Sequence, residues 1–540
     1  MNNKKLILIL VVAACDSFLF ASFYDCSKTF ERNWNEGPFF PQEMICDLPG
    51  YRIPICSKVG ISACPLMNAR GIAKFAQLGY GVFVYKTIRS SAARAYDMPN
   101  VVYVDSATVD LGMLPVRART TTTKIDTIAN SIGNACDELE VNLAQIAHAR
   151  AALHAGQILI VSIYGTDQYN ARGQLIKTQE EDFAELALRA YKAGAHCIEA
   201  NVSCPNVENG HCLYQDAACV ERIIRAIKLS NPDLPVFAKV GVFASTNQLK
   251  NVLHAIARAG GQGVCGINSV PAEVVDEQGE SVFGASRVIS GLSGFAIQDL
   301  AYEFACSARK IISEDGLPLV LGVGGGIMTE AHIDRFLRAG ADIVFSATSV
   351  MDYHSLAIAY SNFYEKKQQL AKRLHEIHAI KRGTFKLHSG KESAFYVDLR
   401  LVPSHNDVFG LMVHLLSQFT ASYPIEVLCG VPLGGVPLAS AVAFYSKTSL
   451  IMLRKEVKNY GMQRMIEGDY YSGQKCMIID DVITSGDSLL HAIELLEKEG
   501  LQVTDIVVAV DRQEGGREKL EQKGYRVHPL FTIKELFAQA

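Results

Sequence analysis

Cys476-Met-Ile-Ile-Asp-Asp-Val-Ile-Thr-Ser-Gly-Asp-Ser-Leu-Leu490 has the pattern of a strand, a turn and the start of a helix. The apolar run Met477–Ile479 predicts a buried strand, and we expect that strand to end at two adjacent acids, Asp480 and Asp481. The turn Thr484–Ser488 is rich in hydroxyl groups and glycine. Backbone N–H groups at such a turn and at the following helix N-terminus form an anion pocket. Acids beside that pocket can hold ribose hydroxyls directly or through a hydrated Mg²⁺.

An ordinary strand–turn–helix without a ligand is the alternative interpretation of this stretch. Two acids at the end of a buried strand argue against it, because carboxylates are seldom buried without a partner or a function. The stretch therefore predicts a site for a phosphorylated sugar.

Composition limits what the whole chain can be. Its 540 residues exceed the usual size of one core, so we expect two domains. A hydrophobic content of 49% and a charged content of 20% indicate a globular protein. The net charge of −4 gives no basic field for nucleic acid. The 14 cysteines lack the spacing of zinc sites, which favours reduced thiols, a cytoplasmic protein and no metal held directly by protein ligands.

Residues 4–20 form an apolar segment with a basic start. Lys4 and Lys5 precede the run Leu6–Cys15, and Asp16 interrupts it. This arrangement is typical of a signal peptide, but it is too short and too broken to span a bilayer. A buried strand, a helix packed on the protein body and a peripheral membrane contact are the alternatives. We treat residues 1–45 as a separate N-terminal segment.

Short apolar runs alternate with helical stretches between Tyr51 and Met351. The expected strands are Gly81–Tyr85, Ile158–Ser162, Cys197–Ala200, Val236–Val240, Gly263–Ile267, Leu319–Gly322 and Ile343–Ser346. The expected helices are Glu180–Ala193, Cys219–Ser230, Asn247–Ala259 and Glu330–Ala339. A helix, an Ala-Gly pair and a buried strand recur in that order, which indicates a parallel sheet. About eight such units in roughly 300 residues predict a (β/α)₈ TIM barrel over residues 46–354.

A second, smaller α/β domain follows a helical junction. Residues 355–381 predict one or two charged helices, and the alternation of strands and helices resumes at residues 382–540. The expected strands there are Phe395–Asp398, Glu426–Cys429, Leu450–Leu453, Met477–Asp480 and Ile506–Val510. This pattern predicts a compact, doubly wound sheet.

The C-terminal domain resembles the type I phosphoribosyltransferases, and orotate phosphoribosyltransferase in particular. Besides Cys476–Leu490, the segments that carry the resemblance are Gly383-Thr-Phe-Lys-Leu-His-Ser-Gly390, Phe395-Tyr-Val-Asp-Leu-Arg400, Cys429-Gly-Val-Pro-Leu-Gly-Gly-Val-Pro437, Arg454-Lys-Glu-Val-Lys-Asn-Tyr-Gly461 and Asp511-Arg-Gln-Glu-Gly-Gly516. The resemblance implies orotate and phosphoribosyl pyrophosphate (PRPP) as substrates, Mg²⁺ bound through PRPP, and a homodimer.

The resemblance also implies roles for individual residues. Lys458 is the expected catalytic lysine of a mobile loop, and such a lysine often reaches a neighbouring subunit's site in the family. Thr484 and Arg512 are the expected contacts of orotate, because a guanidinium suits its carboxylate. The expected PRPP contacts are Arg454, Lys455, Lys458, Asp480, Asp481, Thr484, Ser485, Gly486, Asp487 and Ser488. Asp487 fits beside an anion only if its carboxylate points away. His388 stands where the family usually has lysine, which weakens PRPP binding if the imidazole is neutral.

The N-terminal barrel resembles the dihydroorotate dehydrogenases. Asn201-Val-Ser-Cys-Pro-Asn206 resembles their active-site motif. Further matches follow in the family's order: Met67-Asn-Ala-Arg-Gly71, Val84-Tyr-Lys-Thr87, Asn130-Ser-Ile-Gly-Asn134, Lys239, Asn268-Ser269, Ser290-Gly-Leu-Ser-Gly294 and Gly322-Val-Gly-Gly-Gly326. Arg70 in the first loop and the segment Val274–Ser290 depart from the family pattern. Loss of the dehydrogenase activity is therefore an open alternative.

This second resemblance implies an FMN-dependent oxidation of dihydroorotate with Cys204 as the base. The alternative for Cys204 is a buried structural thiol. The expected dihydroorotate contacts are Asn68, Asn130, Asn201, Asn206, Asn268 and Ser269. The expected FMN contacts are Lys86, Lys239, Gly294, Gly324, Gly325, Gly326 and Thr348, with the flavin phosphate at the late glycine turn.

Together the two resemblances imply a bifunctional enzyme of pyrimidine (UMP) biosynthesis that makes orotate and then orotidine 5′-monophosphate. Fumarate, a partner-delivered NAD and a quinone remain as alternative electron acceptors. A cysteine base is typical of soluble family members, whereas the apolar segment at residues 4–20 favours a membrane. The rival interpretations are a barrel that acts on another pyrimidine, or on none, and a PRPP-binding sensor.

Overall fold

The computed structural model describes residues 57–63, 65–112, 114–122, 126–154, 156–203, 213–351, 353–386, 392–454 and 465–538. The chain divides into two compact units, Met1–Ala359 and Tyr360–Ala540. The expectations for residues 4–20, Cys204, Asn206, His388, Lys455 and Lys458 fall outside the described residues. Within the described parts of the chain, every helix falls short of the length or the apolar character that a membrane span requires.

The first unit contains two main sheets. Its strands are β1 (Val59–Ile61), β2 (Val82–Ile88), β3 (Val101–Tyr103), β4 (Val116–Arg119), β5 (Thr127–Asn130), β6 (Ile158–Ile163), β7 (Gln168–Tyr169), β8 (Leu175–Lys177), β9 (Cys197–Asn201), β10 (Val236–Lys239), β11 (Gly263–Gly266), β12 (Val270–Val275), β13 (Ile289–Gly294), β14 (Val320–Gly324) and β15 (Ile343–Ser346). The parallel strands β1, β2, β6, β9, β10, β11, β14 and β15 close a barrel in that order. The predicted (β/α)₈ barrel is therefore confirmed.

Helices lie between the barrel strands in sequence. They are α1 (Ala69–Ala76), α2 (Leu139–Ala151), α3 (Gln179–Lys192), α4 (Ala217–Ser230), α5 (Thr246–Arg258), α6 (Gln298–Glu314) and α7 (Glu330–Arg338). Sequence signals fix their ends. Helix α3, for example, begins with a capping box in which Thr178 and Glu181 satisfy each other's backbone N–H groups.

Large and small residues alternate inside the barrel. Phe237 and Phe345 belong to a buried cluster with Val84, Ile160 and other barrel residues. Glycines of neighbouring strands give the two rings their space. A Cβ atom on Gly263 would lie 2.4 Å from the Phe237 ring, and one on Gly322 would lie 2.8 Å from the Phe345 ring. The barrel interior is thus a filled core, and ligands must bind at its ends.

A second sheet was not predicted from the sequence. It joins β3, β5, β13, β12 and β4, and the segment Val274–Ser290, which departs from the family pattern, runs from the end of β12 to the start of β13. Its strands are short, and β4 alternates buried with exposed residues. This sheet matters for function because β5 and β13 carry predicted site residues.

The second unit is built around a six-stranded sheet. Helix α8 (Leu356–Glu376) begins in the first unit and ends in the second. The elements that follow are β16 (Ile380–Lys386), β17 (Glu392–Val397), α9 (Asn406–Ser422), β18 (Val427–Gly430), α10 (Gly435–Ser446), β19 (Ser449–Leu453), β20 (Ile466–Glu467), β21 (Lys475–Ile483), α11 (Asp487–Lys498), β22 (Gln502–Asp511), α12 (Gly516–Glu521), β23 (Arg526–Thr532) and α13 (Ile533–Ala538). Strands β16 and β17 form a separate hairpin.

The order of the six-stranded sheet is β20-β19-β18-β21-β22-β23, with only β20 antiparallel to its neighbour. This agrees with the predicted doubly wound fold. From β18 the chain adds strands on one side, and from β21 it adds them on the other. The loops after β18 and β21 therefore meet at the switch point, where open α/β sheets bind ligands.

Strand β21 is longer than the sequence predicted. We expected it to end at Asp480, but its pairing with β22 continues from Asp480 opposite Val508 to Ile483 opposite Asp511. The two acids therefore lie inside the strand. The apolar Val482 and Ile483 extend it beyond them, and the anion turn starts directly after it at Thr484.

Candidate active sites

A cavity opens at the carboxyl end of the barrel strands, with about 1160 Å³ of space when its mouth is included. Barrel loops and the second sheet both contribute to its wall. The predicted residues in its lining are Lys86, Asn130, Asn201, Lys239, Asn268, Ser269, Gly294, Gly324, Gly325, Gly326 and Thr348. Strand register explains part of this grouping, because Lys239 of β10 lies opposite Asn201 of β9 and Cys265 of β11.

Asn68 is not among the lining residues. Its side chain caps helix α1 instead, and its Oδ1 accepts a hydrogen bond of 2.9 Å from the Gly71 N–H. Asn and Asp at this position are typical helix caps. Asn68 therefore has a structural role as a helix cap, which the resemblance does not imply.

Two buried lysines give the cavity a positive character. The Lys86 ammonium donates to the Ala135 carbonyl, and the Lys239 ammonium lies 3.6 Å from the buried Glu199 carboxylate. Each lysine is less than a tenth exposed. Among the described residues that line the cavity, none is Asp or Glu. Because Glu199 offsets the charge of Lys239, the positive charge that favours an anionic ligand in the cavity comes mainly from Lys86.

Amide and hydroxyl groups on the cavity wall hold one another in fixed orientations. Asn201 donates from Nδ2 to Thr87 Oγ1 at 3.1 Å, and Thr87 Oγ1 lies 2.9 Å from Ser162 Oγ. Asn268 donates from Nδ2 to Ser203 Oγ at 3.1 Å, and its Oδ1 accepts from the Ser269 N–H at 3.0 Å. Such a preorganised set of neutral donors and acceptors suits a planar, polar ring.

The glycine loop after β14 adopts a backbone that only glycine takes easily. Gly325 has φ +126° and Gly326 has φ +69°. A Cβ atom at Gly325 would lie 2.8 Å from Ala301 Cβ, and one at Gly326 would lie 2.6 Å from Gln298 Cβ. The loop lines the cavity and leads towards the N-terminus of α7. Its backbone is therefore open to a ligand near a helix N-terminus, where a phosphate group is stabilised.

In the second unit, the acids of β21 lie in a strongly desolvated position. Burial raises the pKa of Asp480 well above its usual range, and the adjacent Asp481 raises it further. Burial also raises the pKa of Asp481. A Cβ atom on Gly434 would lie 2.0 Å from Asp481 Oδ2, and one on Gly435 would lie 3.0 Å from Asp480 Oδ1. The loop after β18 therefore approaches the acids because it has no side chains there.

The turn after β21 forms the N-terminus of helix α11. Gly486 has φ +78° and caps this helix, whose first N–H groups have no partner within the helix. The Asp487 carboxylate points to Lys519, which donates to it, and also accepts from Ser485 Oγ at 2.6 Å. The Lys519 hydrogen bond lowers the pKa of Asp487. Lys519 of helix α12 therefore neutralises the Asp487 carboxylate, which from the sequence alone was unexpected beside an anion site.

Thr484 and Arg512 follow residues that are paired in register. Ile483 lies opposite Asp511, and the Arg512 N–H donates to the Ile483 carbonyl at 3.1 Å. The Arg512 guanidinium is buried, forms an ion pair of 2.8 Å with Glu514 and lies 4.8 Å from the centre of the Phe395 ring. A planar cation fixed against an aromatic ring is a suitable partner for a carboxylate.

Comparison with known proteins agrees with both geometries. Residues 62–361 match the family described as dihydroorotate dehydrogenase, and residues 405–529 match the phosphoribosyl transferase domain. The chain belongs to the dihydroorotate dehydrogenase family. Dihydroorotate dehydrogenase of Dictyostelium discoideum is 32% identical over 63% of this chain and 96% of its own length.

The C-terminal part belongs to the orotate phosphoribosyltransferases. The enzyme of Pyrococcus furiosus is 35% identical over 32% of this chain and 97% of its own length. Uridine 5′-monophosphate synthase of Bos taurus is 41% identical over 30% of this chain and 34% of its own length. The chain is thus a fusion of a dehydrogenase unit with a transferase unit, and this agrees with the sequence-based prediction.

One predicted transferase residue is engaged within the protein. Arg454 forms an ion pair with Glu467 of strand β20, which pairs with β19. Its Nε is buried and has no hydrogen-bond partner among the described residues. A bound phosphate therefore has to compete with Glu467 for this guanidinium.

Sequence reasoning missed several residues of the dehydrogenase cavity. Thr87, Asn134 and Ser293 line this cavity, although each lies within a motif on which the family resemblance is based. Asn134 has φ +52°, and its buried Nδ2 makes no hydrogen bond within the described part of the chain. A buried amide donor without a partner at a cavity wall is available to a ligand. By contrast, Cys265 lines the cavity without any sequence signal, because its position follows only from strand register.

Proposed function

We propose that this chain catalyses two consecutive reactions. The dehydrogenase unit oxidises dihydroorotate to orotate with FMN. The transferase unit joins orotate to the phosphoribosyl group of PRPP, which gives orotidine 5′-monophosphate and pyrophosphate. The observation that carries the proposal is the grouping of the two lysines, the amides and the glycine loop around one cavity. The acids, the anion turn and Arg512 support the second reaction in the same way.

The dehydrogenase cavity has the features that FMN requires. Gly324, Gly325 and Gly326 present backbone to the cavity, and Thr348 adds a hydroxyl there. We propose that this loop binds the flavin phosphate, and that Gly294, which also lines the cavity, contacts the flavin. Bound FMN supplies the hydride acceptor for the reaction.

The residues around dihydroorotate then have separate tasks. Cys204 takes the carbon-bound proton, so its sulfur must be ionised or hydrogen-bonded to an acceptor when the substrate arrives. Asn130, Asn201, Asn206, Asn268 and Ser269 hold the polar ring of the substrate. Lys86 and Lys239 offset the negative charge that accumulates in the cavity during oxidation.

In the transferase unit, the bond from the anomeric carbon to pyrophosphate breaks and a bond to the ring nitrogen of orotate forms. Asp480 and Asp481 hold the ribose hydroxyls, directly or through hydrated Mg²⁺, while Thr484–Ser488 hold the 5′-phosphate. Arg454, Lys455 and Lys458 stabilise the departing pyrophosphate, with Lys458 as the catalytic lysine. Arg512 binds the carboxylate of orotate.

We place the enzyme in the cytoplasm as a homodimer, in which Lys458 of one copy completes the site of the other. Sedimentation at micromolar concentration tests the dimer, and a monomer with full activity would exclude this shared site.

Two variants separate the two reactions. In the full chain, Cys204→Ala should abolish orotate formation from dihydroorotate while orotate and PRPP still give the nucleotide. Lys458→Ala should do the reverse. Each variant thus serves as the folding control of the other. Unchanged dihydroorotate oxidation by Cys204→Ala with fumarate, NAD or a quinone as acceptor would exclude Cys204 as the base.

A further inference from the structure

Two buried side chains and one partly buried arginine form a hydrogen-bonded network beneath the glycine loop of the dehydrogenase unit. Gln298, the first residue of α6, is 3% exposed, and His332 of α7 is fully buried. Gln298 Nε2 donates to the Gly326 carbonyl at 2.7 Å and to His332 Nδ1 at 2.8 Å. Arg335 donates from Nη1 to Gln298 Oε1 at 2.9 Å. The network therefore joins two helices to the backbone of the loop.

The chemistry of the partners fixes every hydrogen in this network. A carbonyl oxygen only accepts and a guanidinium only donates, so the Gln298 amide has one possible orientation. The Met328 N–H donates to His332 Nδ1 at 3.2 Å, so this nitrogen carries no hydrogen and the ring's hydrogen is on Nε2. Phe295 stacks on the His332 ring, with the ring centres 5.9 Å apart. Each group is thus held in one rotamer and one tautomer.

The network turns the carbonyl groups of the loop away from the ligand. Gln298 holds the Gly326 carbonyl, while Ser346 Oγ and Ser349 Oγ hold the Ile327 carbonyl at 3.0 Å and 2.9 Å. The N–H and C=O of a trans peptide point in opposite directions. The Ile327 N–H therefore points away from Gln298, in a loop whose residues line the cavity. At these positions an anion then meets N–H groups, because the carbonyl oxygens of Gly326 and Ile327 are held elsewhere.

We propose that Gln298 is a positioning residue that sets the affinity of the loop for the FMN phosphate, and so the preference of the cavity for FMN over riboflavin. The inference rests on the proposed use of FMN. Gln298 itself does not line the cavity, and it acts through the orientation of the Gly326–Ile327 peptide. The consequence is specific, because only a ligand with a phosphate benefits from that orientation.

The test compares two glutamines in the same unit. Gln157 is 5% exposed and donates from Nε2 to the carbonyls of Ala76 and Tyr80, at 2.8 Å and 2.9 Å, just before barrel strand β6. It is absent from the cavity lining. Gln298→Glu and Gln157→Glu thus make the same chemical change in equally buried amides. Gln298→Met, which fits the volume without a charge, is a second variant that is less demanding for folding.

The measurement is the Kd of FMN and of riboflavin for the full chain after removal of bound flavin, followed by flavin fluorescence. Gln298→Glu should raise the FMN Kd by about 10- to 100-fold, the range seen when groups that orient ligand-binding residues at metal sites are replaced. Gln298→Met should raise it less, and neither variant should change the riboflavin Kd by a comparable factor. Gln157→Glu should leave the ratio of the two Kd values unchanged.

Two results would overturn the inference. An unchanged FMN Kd in either folded Gln298 variant excludes the role, and so does an equal loss of FMN and riboflavin affinity. A wild-type chain that binds neither flavin would instead contradict the proposed function itself, together with the inference that depends on it.

Discussion

Asp480 is buried beside a second acid, so we expect its ionised form to oppose folding when no ligand is bound. A carboxyl whose pKa is raised by folding gives its full stabilisation below its ordinary pKa and loses it as the pH rises through the raised value. We therefore predict that Asp480→Asn increases the free energy of unfolding by roughly 1 kcal/mol near pH 8, and that the gain shrinks as the pH falls. The same variant should lose PRPP binding. Urea unfolding at several pH values measures the first effect.

Asp505 provides the control with the opposite sign. It is as buried as Asp480, and burial acts to raise its pKa, but hydrogen bonds from Arg526 and His528 lower the pKa below the usual range. Its stabilisation is present above the ordinary carboxyl pKa and is lost as the pH falls through the lowered one. Asp505→Asn should destabilise the transferase unit by about 1.5–3 kcal/mol at neutral pH, since it weakens the charged hydrogen bonds with the partly exposed Arg526 and the buried His528. Equal effects of the two variants would contradict this electrostatic interpretation.

Lys519 neutralises the one acid in the anion turn. Removing it in Lys519→Ala leaves the Asp487 carboxylate free to repel PRPP, so the KM for PRPP should rise several-fold. Asp487→Ala in the same chain should restore the KM, because the repulsion is then absent. Salt should reduce the effect of Lys519→Ala. A double variant as impaired as Lys519→Ala alone would show that Lys519 acts in another way.

At the scale of single elements, the contact between the anion turn and α12 depends on a glycine. A Cβ atom on Gly516 would lie 2.2 Å from the Thr484 carbonyl and 2.6 Å from the Gly486 nitrogen. Gly516→Ala should therefore displace the turn and reduce kcat/KM for PRPP by roughly tenfold to a hundredfold. Steady-state kinetics at saturating orotate measures this loss.

Gly410 supplies the matched control for that substitution. It lies in the exposed middle of α9, and a Cβ atom there would meet nothing within 4 Å. Gly410→Ala should stabilise the transferase unit by roughly 0.5–1 kcal/mol and leave its kinetics unchanged. Comparable kinetic losses in the two variants would mean that the contact of the turn with α12 is not what matters.

Local elements were predictable where the sequence pattern is local. The barrel strand Ile343–Ser346 has the expected bounds, and the expected helix Glu330–Ala339 ends one residue earlier, because apolar periodicity and caps depend on near neighbours. The second sheet depends on pairing between distant segments, such as Val270 opposite Leu292 and Ala272 opposite Val116. In strands this short the alternation of buried and exposed residues covers too few positions to identify a strand from sequence. The predicted end of β21 was wrong for the same reason, since its pairing with β22 continues the strand beyond the two acids.

The candidate sites show the same division between local and distant information. Motifs such as Asn268–Ser269 indicated the cavity residues through resemblance. The pairing of Asp487 with Lys519 and the link from Gln298 to Gly326 join segments about 30 residues apart in sequence. These contacts follow from the fold, and a single sequence does not reveal them.

At the scale of the whole molecule, the fusion places two consecutive reactions on one chain. Orotate is the product proposed for the dehydrogenase unit and the substrate proposed for the transferase unit. The central claim is that both units are active in the same protein, with FMN in the first and Mg²⁺–PRPP in the second.

The most direct measurement incubates the purified full chain, loaded with FMN, with dihydroorotate, PRPP, Mg²⁺ and one acceptor at a time from fumarate, NAD and a quinone. We predict that orotidine 5′-monophosphate forms with at least one acceptor, and that orotate accumulates in its place when PRPP is withheld. The claim is contradicted if the chain makes the nucleotide from added orotate but never from dihydroorotate, or if it makes no nucleotide from either.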